Sequence, residues 1–426
     1  MRILVEPSDY KLINAGDMGM LHVAATRLGT LFPNATIQIL SDTPDLLPEY
    51  CPNVKPLDTK GRRAWFTAGF LGGGLAAHLP TQAKTKIWEL ERFLRRRWPS
   101  LAEFILKAKL KRARNDDKSL RDFLEAVSNA DLVIATGMGG ITDAFPAYAY
   151  QLLDILRLAV QRGALTAMVG QGIGPIQDPK LRAQAKSVLR RIDFISLREK
   201  RAGGPLLHSL GVSSGRVLTT GDDAIEMAYE RRSKILNSGL GINLRVAGYS
   251  RVDRGVVERV RAILQNVARK LQAPMVPVPI SSHPEESDAV TIQQLMDGYD
   301  EISDCGKDLK TQFEVIKQIR RCRVVVAGSY HAAVFALAQG IPAIGLANSH
   351  YYEDKFLGLA DQFGTGCQVI FLQENELSKK LSAAIETAWQ SAEQGRTQLL
   401  AAAAKQVQLS HDAYQRIYEL VNSRRK

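Results

Sequence analysis

VVVAGSYHAAVFALAQGIPAIGL, residues 324–346, is the stretch on which the fold turns. Val324 to Ala327 form an apolar run with no polar alternation, the mark of a strand covered on both faces in a parallel sheet. Gly328 and Ser329 end that run, Tyr330 and His331 open an apolar helix, and Gly340, Ile341 and Pro342 stop the helix before a second run, Ala343 to Leu346. Strand, turn, helix and parallel strand make a crossover unit. A histidine at the strand-to-helix turn suits general acid–base work, because its ordinary pKa lies near neutrality. His331 is therefore the candidate catalytic residue, with Ser329 and Tyr330 beside it.

The same rhythm extends in both directions. GINL at 241–244, a helix over 253–272, a strand over 274–280 and a helix over 308–321 lead into the quoted stretch, and residues 376–426 read as helices. Upstream, ILV at 3–5, a helix from Met18 to Phe32 and a strand at 36–40 open the chain. Strands then recur at 131–135, 167–170, 194–197 and 216–220, each running into a glycine-rich or polar loop. A chain of 426 residues exceeds what one hydrophobic core usually serves. The expectation is an α/β protein of two Rossmann-like domains facing a cleft. The first spans 1–235, with a basic helical insertion at about 60–128 that contains GGG at 72–74. The second spans 236–400 and carries the His331 loop, and a helix at 401–426 packs back on the first.

Loops at the carboxyl ends of such strands are where open α/β sheets place ligands. NAGDMG at 14–19 sets Gly16 and Asp17 at a helix start, either as an anion site or as an ordinary cap. TGMGGITD at 136–143 offers Gly137, Gly139 and Gly140 as a ligand loop, and QGIGP at 171–175 offers Gly172 and Gly174. Arg198 and Arg245 each follow a strand, where a guanidinium can grip a carboxylate or phosphate with two parallel bonds. A surface ion pair is the plain alternative for each. No GxGxxG, Walker A or HExxH sequence occurs, which leaves nucleotide cofactors and a metal centre unsupported.

Four scattered cysteines without a CxxC pair fit reduced cytosolic thiols. The N-terminus lacks the apolar run of a secretory signal, and no stretch has the length of a membrane span. The net charge of +12 is concentrated: from Lys84 to Arg121 there are thirteen Lys or Arg against five Asp or Glu. RFLRRRW at 92–98 mixes cations with large apolar residues, as an interfacial helix does, although a solvated charged face gives the same composition. Nucleic-acid binding has no recognisable module behind it.

Taken in order, NAGDMG, TGMGGITD, QGIGP, ISLRE at 195–199, TGDDA at 220–224, GINLR at 241–245, GSYHAAVFALAQGIP at 328–342 and YYEDKF at 351–356 resemble the polysaccharide pyruvyl transferase family. The resemblance implies a GT-B-like pair of Rossmann domains that moves a pyruvyl group from phosphoenolpyruvate onto a sugar. That sugar belongs to a cell-surface polysaccharide or its lipid-linked precursor. It makes His331 the acid that protonates the donor's methylene carbon and Arg198 the anchor of its anionic groups, with no metal or redox cofactor required. It places the chain in the cytoplasm, in possible peripheral contact with anionic membrane through 84–121. Many members carry arginine two residues before the histidine; here that residue is Ser329. Arg245, Lys355 or a backbone N–H then substitutes, or the donor differs. Two rival readings stand beside this one. The first is a GT-B-type glycosyltransferase using a nucleotide sugar, although no acidic residue for a ribose lies between Gly328 and Pro342. The second is a non-catalytic member of the same fold.

Overall fold

The computed structural model describes residues 1–71, 80–112, 117–299 and 305–425. The GGG run at 72–74 lies outside the described residues. In chain order the first half holds β1 (Arg2–Glu6), α1 (Ala15–Leu31), β2 (Thr36–Ser41), α2 (Leu47–Tyr50) and β3 (Lys55–Asp58). Four helices follow: α3 (Lys60–Thr67), α4 (Thr81–Arg97), α5 (Pro99–Arg112) and α6 (Lys118–Ser128). Then come β4 (Leu132–Ala135), β5 (Met138–Ile141), α7 (Pro146–Arg162), β6 (Leu165–Ile173), α8 (Pro179–Leu189), β7 (Phe194–Leu197), α9 (Gly203–Ser209), β8 (Val217–Thr219) and α10 (Ala224–Glu230). The second half holds β9 (Gly239–Asn243), α11 (Arg254–Leu271), β10 (Met275–Pro277), α12 (Asp288–Met296), α13 (Gln312–Ile319), β11 (Cys322–Ala327), α14 (Tyr330–Ala338), β12 (Ala343–Ala347), α15 (His350–Phe363), β13 (Cys367–Phe371) and α16 (Leu377–Arg425).

Two parallel sheets result. One has the order β3-β2-β1-β4-β6-β7-β8 with β5 paired beside β6; the other runs β10-β9-β11-β12-β13. Strand order reverses between β1 and β4 in the first and between β9 and β11 in the second. A crevice opens at the carboxyl edge wherever order reverses in this way. The two crevices face one another, joined where Asn14 bridges Ser281 and where Ala15 N–H donates to Ile280 O at 2.8 Å. Strands β4, β9 and β12 are buried at every position, because helices cover both faces.

Local chemistry sets the helix limits. Asn14 caps α1, its side-chain oxygen accepting from the amides of Gly16 and Asp17. Asp178 caps α8 ahead of Pro179, Thr311 and Glu314 form a reciprocal box at α13, and Gly163 ends α7 with φ of 87°. The tail is one continuous helix rather than several. Residues 401–404 are alanines, no proline interrupts 377–425, and the lone Gly395 has open space around it, so nothing stops the helix. Its early turns meet the second sheet's helices through Lys270 and Glu386, 2.8 Å apart. Its later turns lie on the first half, where Tyr414 and Ser410 hydroxyls donate to Asp223 at 3.0 and 2.5 Å. One apolar cluster accordingly contains side chains of β1, α1, α10, α13, α14 and α16, and the halves share part of their core.

Candidate active site

The facing crevices enclose a cavity of about 310 Å³. Arg198 leaves the end of β7, its amide donating to Gln171 O at 3.0 Å. The side chain is almost wholly buried, its guanidinium carbon 4.3 Å from the centre of the Tyr330 ring. One nitrogen, Nη1, reaches Asp222 Oδ2 at 3.4 Å. The other edge, Nε and Nη2, is buried without a hydrogen-bond partner. Glycine makes room beside that edge. A Cβ on Gly172 would lie 2.8 Å from Nε, and one on Gly139 would lie 2.8 Å from Nη2 and from Lys355 Nζ.

His331, in the first turn of α14, places Nε2 3.5 Å from the same Asp222 oxygen. Asp222 therefore stands between the arginine and the histidine, with Oδ1 accepting from the Ala224 amide at 3.0 Å. Burial works against its charge, but His331, then Arg198, hold its carboxyl below the usual aspartate range. Across the cleft, Gly16 packs directly on the imidazole: a Cβ there would fall 2.0 Å from Cγ and Nδ1. Only glycine permits that approach.

Lys355 comes from α15 and bonds the Tyr351 hydroxyl, which donates to Gly139 O at 3.2 Å. Burial, reinforced by the like charge of Arg198, pushes the ammonium well below the ordinary lysine range. The Asp17 carboxyl, also on the cavity wall, is raised by burial against the opposing pull of His331. A wall of rings completes the space: Phe145 and Tyr249 stand 5.0 Å apart at their centres, and Tyr351 stands 5.9 Å from Tyr249.

The sequence-predicted residues divide into two groups. Asp17, Gly139, Gly140, Arg198, Arg245, Ser329, Tyr330, His331 and Lys355 line this cavity. Gly16 and Gly172 lie behind it, against His331 and Arg198, while Gly137 abuts Met20 and Gly174 abuts Leu206. The amides of Gly16 and Asp17 are taken by Asn14 Oδ1 at 3.0 and 3.2 Å, so that loop brings to the cavity a carboxyl group instead of free N–H donors.

Arg245 lines the wall with its donors engaged. Nη1 bonds Glu286 O at 2.8 Å and Asp288 Oδ1 at 2.9 Å, Nη2 bonds Glu286 Oε2 at 3.2 Å, and Nε bonds the Tyr249 hydroxyl at 3.1 Å. Ser329 is drawn to the same hub, its hydroxyl donating to Asp288 Oδ2 at 3.1 Å and its amide to Asn243 Oδ1 at 2.6 Å. Asp222, Asp288 and the aromatic wall went unmarked in the sequence. The adjacent carboxylates of TGDDA, just past a strand, were the available signal for Asp222.

The family description "Polysaccharide pyruvyl transferase" matches residues 14–350, from the Asn14 cap to the start of α15. The chain belongs to the polysaccharide pyruvyl transferase family. It is thereby a transferase of polysaccharide biosynthesis. No curated protein sequence matches it. Among solved structures it is similar to a putative UDP-N-acetylglucosamine 2-epimerase from Listeria monocytogenes, with TM-score 0.55 and 11% identity over 99% of this chain and 96% of that one. The UDP-GlcNAc 2-epimerase of Neisseria meningitidis bound to UDP-GlcNAc gives 0.53 and 10%, over 99% and 100%. A glycosyltransferase from Rickettsia africae gives 0.50 and 12%, over 99% and 98%. At such identities the likeness shows the fold alone, a GT-B-like pair of Rossmann domains. Among the described residues no helix is long and apolar enough to cross a membrane, and no grouping of three or more His, Cys, Asp or Glu is placed to hold a metal ion.

Proposed function

We propose that this family member transfers the pyruvyl group of phosphoenolpyruvate to two hydroxyls of one sugar, forming a cyclic ketal. The sugar is carried by a cell-surface polysaccharide or its lipid-linked precursor. The observation that carries the donor assignment is the unpartnered Nε/Nη2 edge of Arg198. A buried guanidinium edge without an acceptor costs free energy until an anion binds it, and two parallel N–H donors fit a carboxylate or a phosphate face. Lys355 lies next to that edge, and a second negative group arriving there favours its charged form. With Arg245 neutralised by Asp288 and Glu286, Lys355 is the cation that makes up for Ser329 at the position where relatives carry arginine.

The chemistry follows from the layout. His331 gives a proton to the donor's methylene carbon, and positive charge develops at the carbon bearing the phosphate ester. Asp222, held ionised, stabilises the imidazolium before transfer and keeps it beside the donor site. One sugar hydroxyl adds to the cationic carbon, a second displaces phosphate, and the two hydroxyl protons account for the new methyl hydrogen and the proton on released phosphate. The ring wall of Phe145, Tyr249 and Tyr351 offers a flat apolar face for the sugar. The cytoplasm is the compartment in which such a donor and a lipid-linked acceptor meet.

Calorimetric titration tests this reading, with phosphoenolpyruvate set against UDP- and CMP-sugars. Phosphoenolpyruvate binds, and Arg198→Ala weakens it about a hundredfold, the loss of two charge-assisted hydrogen bonds. Binding of a nucleotide sugar in its place, or donor affinity indifferent to Arg198, refutes the assignment.

A further inference from the structure

Six of the nine large apolar side chains that stand exposed among the described residues fall between positions 88 and 104, on α4 and α5. That concentration demands an explanation, because large exposed apolar side chains normally occur singly. On α4, Leu90 and Phe93 are about half exposed and share a face with the exposed Lys86 and Arg97. On α5, Phe104 is 72% exposed and Leu101 48%, at helical spacing from Lys111 and Arg112, which are exposed as well. The two stripes are continuous: Phe93 and Trp98 touch edge to face across the α4–α5 turn, centroids 6.1 Å apart. The opposite faces hold the pair to the body, through Ala102 and Leu106 in the core and Arg96 on Asp154 at 2.9 Å.

We propose that the α4–α5 pair is a docking face for an anionic lipid bilayer, its ring and leucine side chains entering the headgroup boundary while the flanking Lys and Arg meet lipid phosphates. The charge pattern selects this occupant. A second copy of the chain would set the same positive stripe against itself, whereas an anionic bilayer supplies the opposite sign over the whole face. A planar apolar stripe bordered by cations is the geometry of interfacial helices.

The placement bears on the reaction only through α7. Its first turns contribute Tyr148 to the central cavity and Tyr150, Gln151 and Asp154 to a smaller arginine-lined cavity beneath α4. A bilayer under α4–α5 would thus lie one helix away from the cleft. In this respect the inference rests on the proposed acceptor, and in every other respect it stands on the surface alone.

Co-sedimentation of the full chain with vesicles tests it. Phosphatidylglycerol–phosphatidylcholine vesicles capture the protein, phosphatidylcholine alone does not, and raising salt from about 0.1 M to about 1 M releases it. Phe104→Ser lowers vesicle affinity about tenfold, as does Phe93→Ser, the loss of one large side chain's transfer to the interface. Arg97→Glu and Lys111→Glu act in the same direction, and Ile235→Ser, an exposed apolar residue elsewhere, changes nothing. Trp emission of the wild type shifts to the blue on adding anionic vesicles. Phosphoenolpyruvate titration of the same variants stays unchanged, which separates this inference from the donor reading. Equal sedimentation with and without anionic lipid overturns the proposal, as does undiminished binding by Phe93→Ser/Phe104→Ser. Light scattering that shows a dimer broken by Phe104→Ser overturns it in favour of self-association.

Discussion

Gly16→Ala isolates the role of His331 from donor binding. The added methyl would stand 2.0 Å from Cγ and Nδ1 of the imidazole. Ordinary carbon contacts begin near 3.4 Å, so the ring must retreat by about 1.4 Å or α1 must lift away. The ring is the softer of the two, because the helix start is fixed by Asn14 and by the Ala15 amide on Ile280 O. A displacement of about 1 Å at a catalytic group costs on the order of a hundredfold in rate, or about 2.7 kcal/mol of barrier. Arg198 and Lys355 are not touched by the methyl, so phosphoenolpyruvate affinity stays within about twofold. Alanine is the better helix former by about 1 kcal/mol, which offsets the crowding and keeps the fold intact. The assay pairs calorimetric donor titration with acceptor-dependent phosphate release. Wild-type turnover in Gly16→Ala refutes the reasoning outright. Equal losses of donor affinity and turnover refute it differently, by making the 14–19 loop part of the anion site.

Two residues give further tests. Lys355→Met removes a buried amine whose proton is disfavoured in the folded chain, so it lowers donor affinity while raising Tm at neutral pH. In the wild type without donor the unfolded chain binds more protons at this lysine than the folded one, between its lowered folded value and the ordinary lysine range; stability therefore rises with pH there, and the variant loses that slope. Donor binding to the wild type takes up a proton at Lys355, read as a dependence of the calorimetric heat on buffer ionisation enthalpy. Asp222→Asn withdraws the carboxylate that faces both His331 and Arg198 and lowers acceptor-dependent phosphate release on the order of a hundredfold. The stabilisation from Asp222, present above its unfolded value near 3.8 and lost as pH falls through its lower folded value, disappears in the same variant; acid unfolding curves of the two proteins then converge at low pH.

What could be read from the sequence is what adjacent residues encode. Unbroken apolar runs such as 131–135 and 324–327 become buried parallel strands, and each glycine-bearing loop after them ends at the crevice edge, since period and punctuation are local properties. Arg198, Lys355 and His331 come to one cavity from widely separated segments. What was not legible depends on pairing across the chain. Arg245 looks like a free anchor until Asp288, far downstream, closes on it, and Ser329 looks like a vacancy until the same carboxylate receives its hydroxyl. The short strands β3 and β13 carry exposed or half-exposed side chains at sheet edges, where the apolar signal fades.

The 49-residue final helix, about 73 Å long, imposes an order on biosynthesis. Arg27 and Asp223 emerge from the ribosome early, yet Ser410 and Tyr414, which enclose them, follow Asp223 by 187 and 191 residues, or on the order of ten to forty seconds of synthesis. Throughout that interval the first sheet carries an open seam along α1 and α10, with a charged pair awaiting its lid. Until the last turns are made, the N-terminal half lacks the side chains that cover this seam, and a chain cut short before Ser410 lacks them altogether.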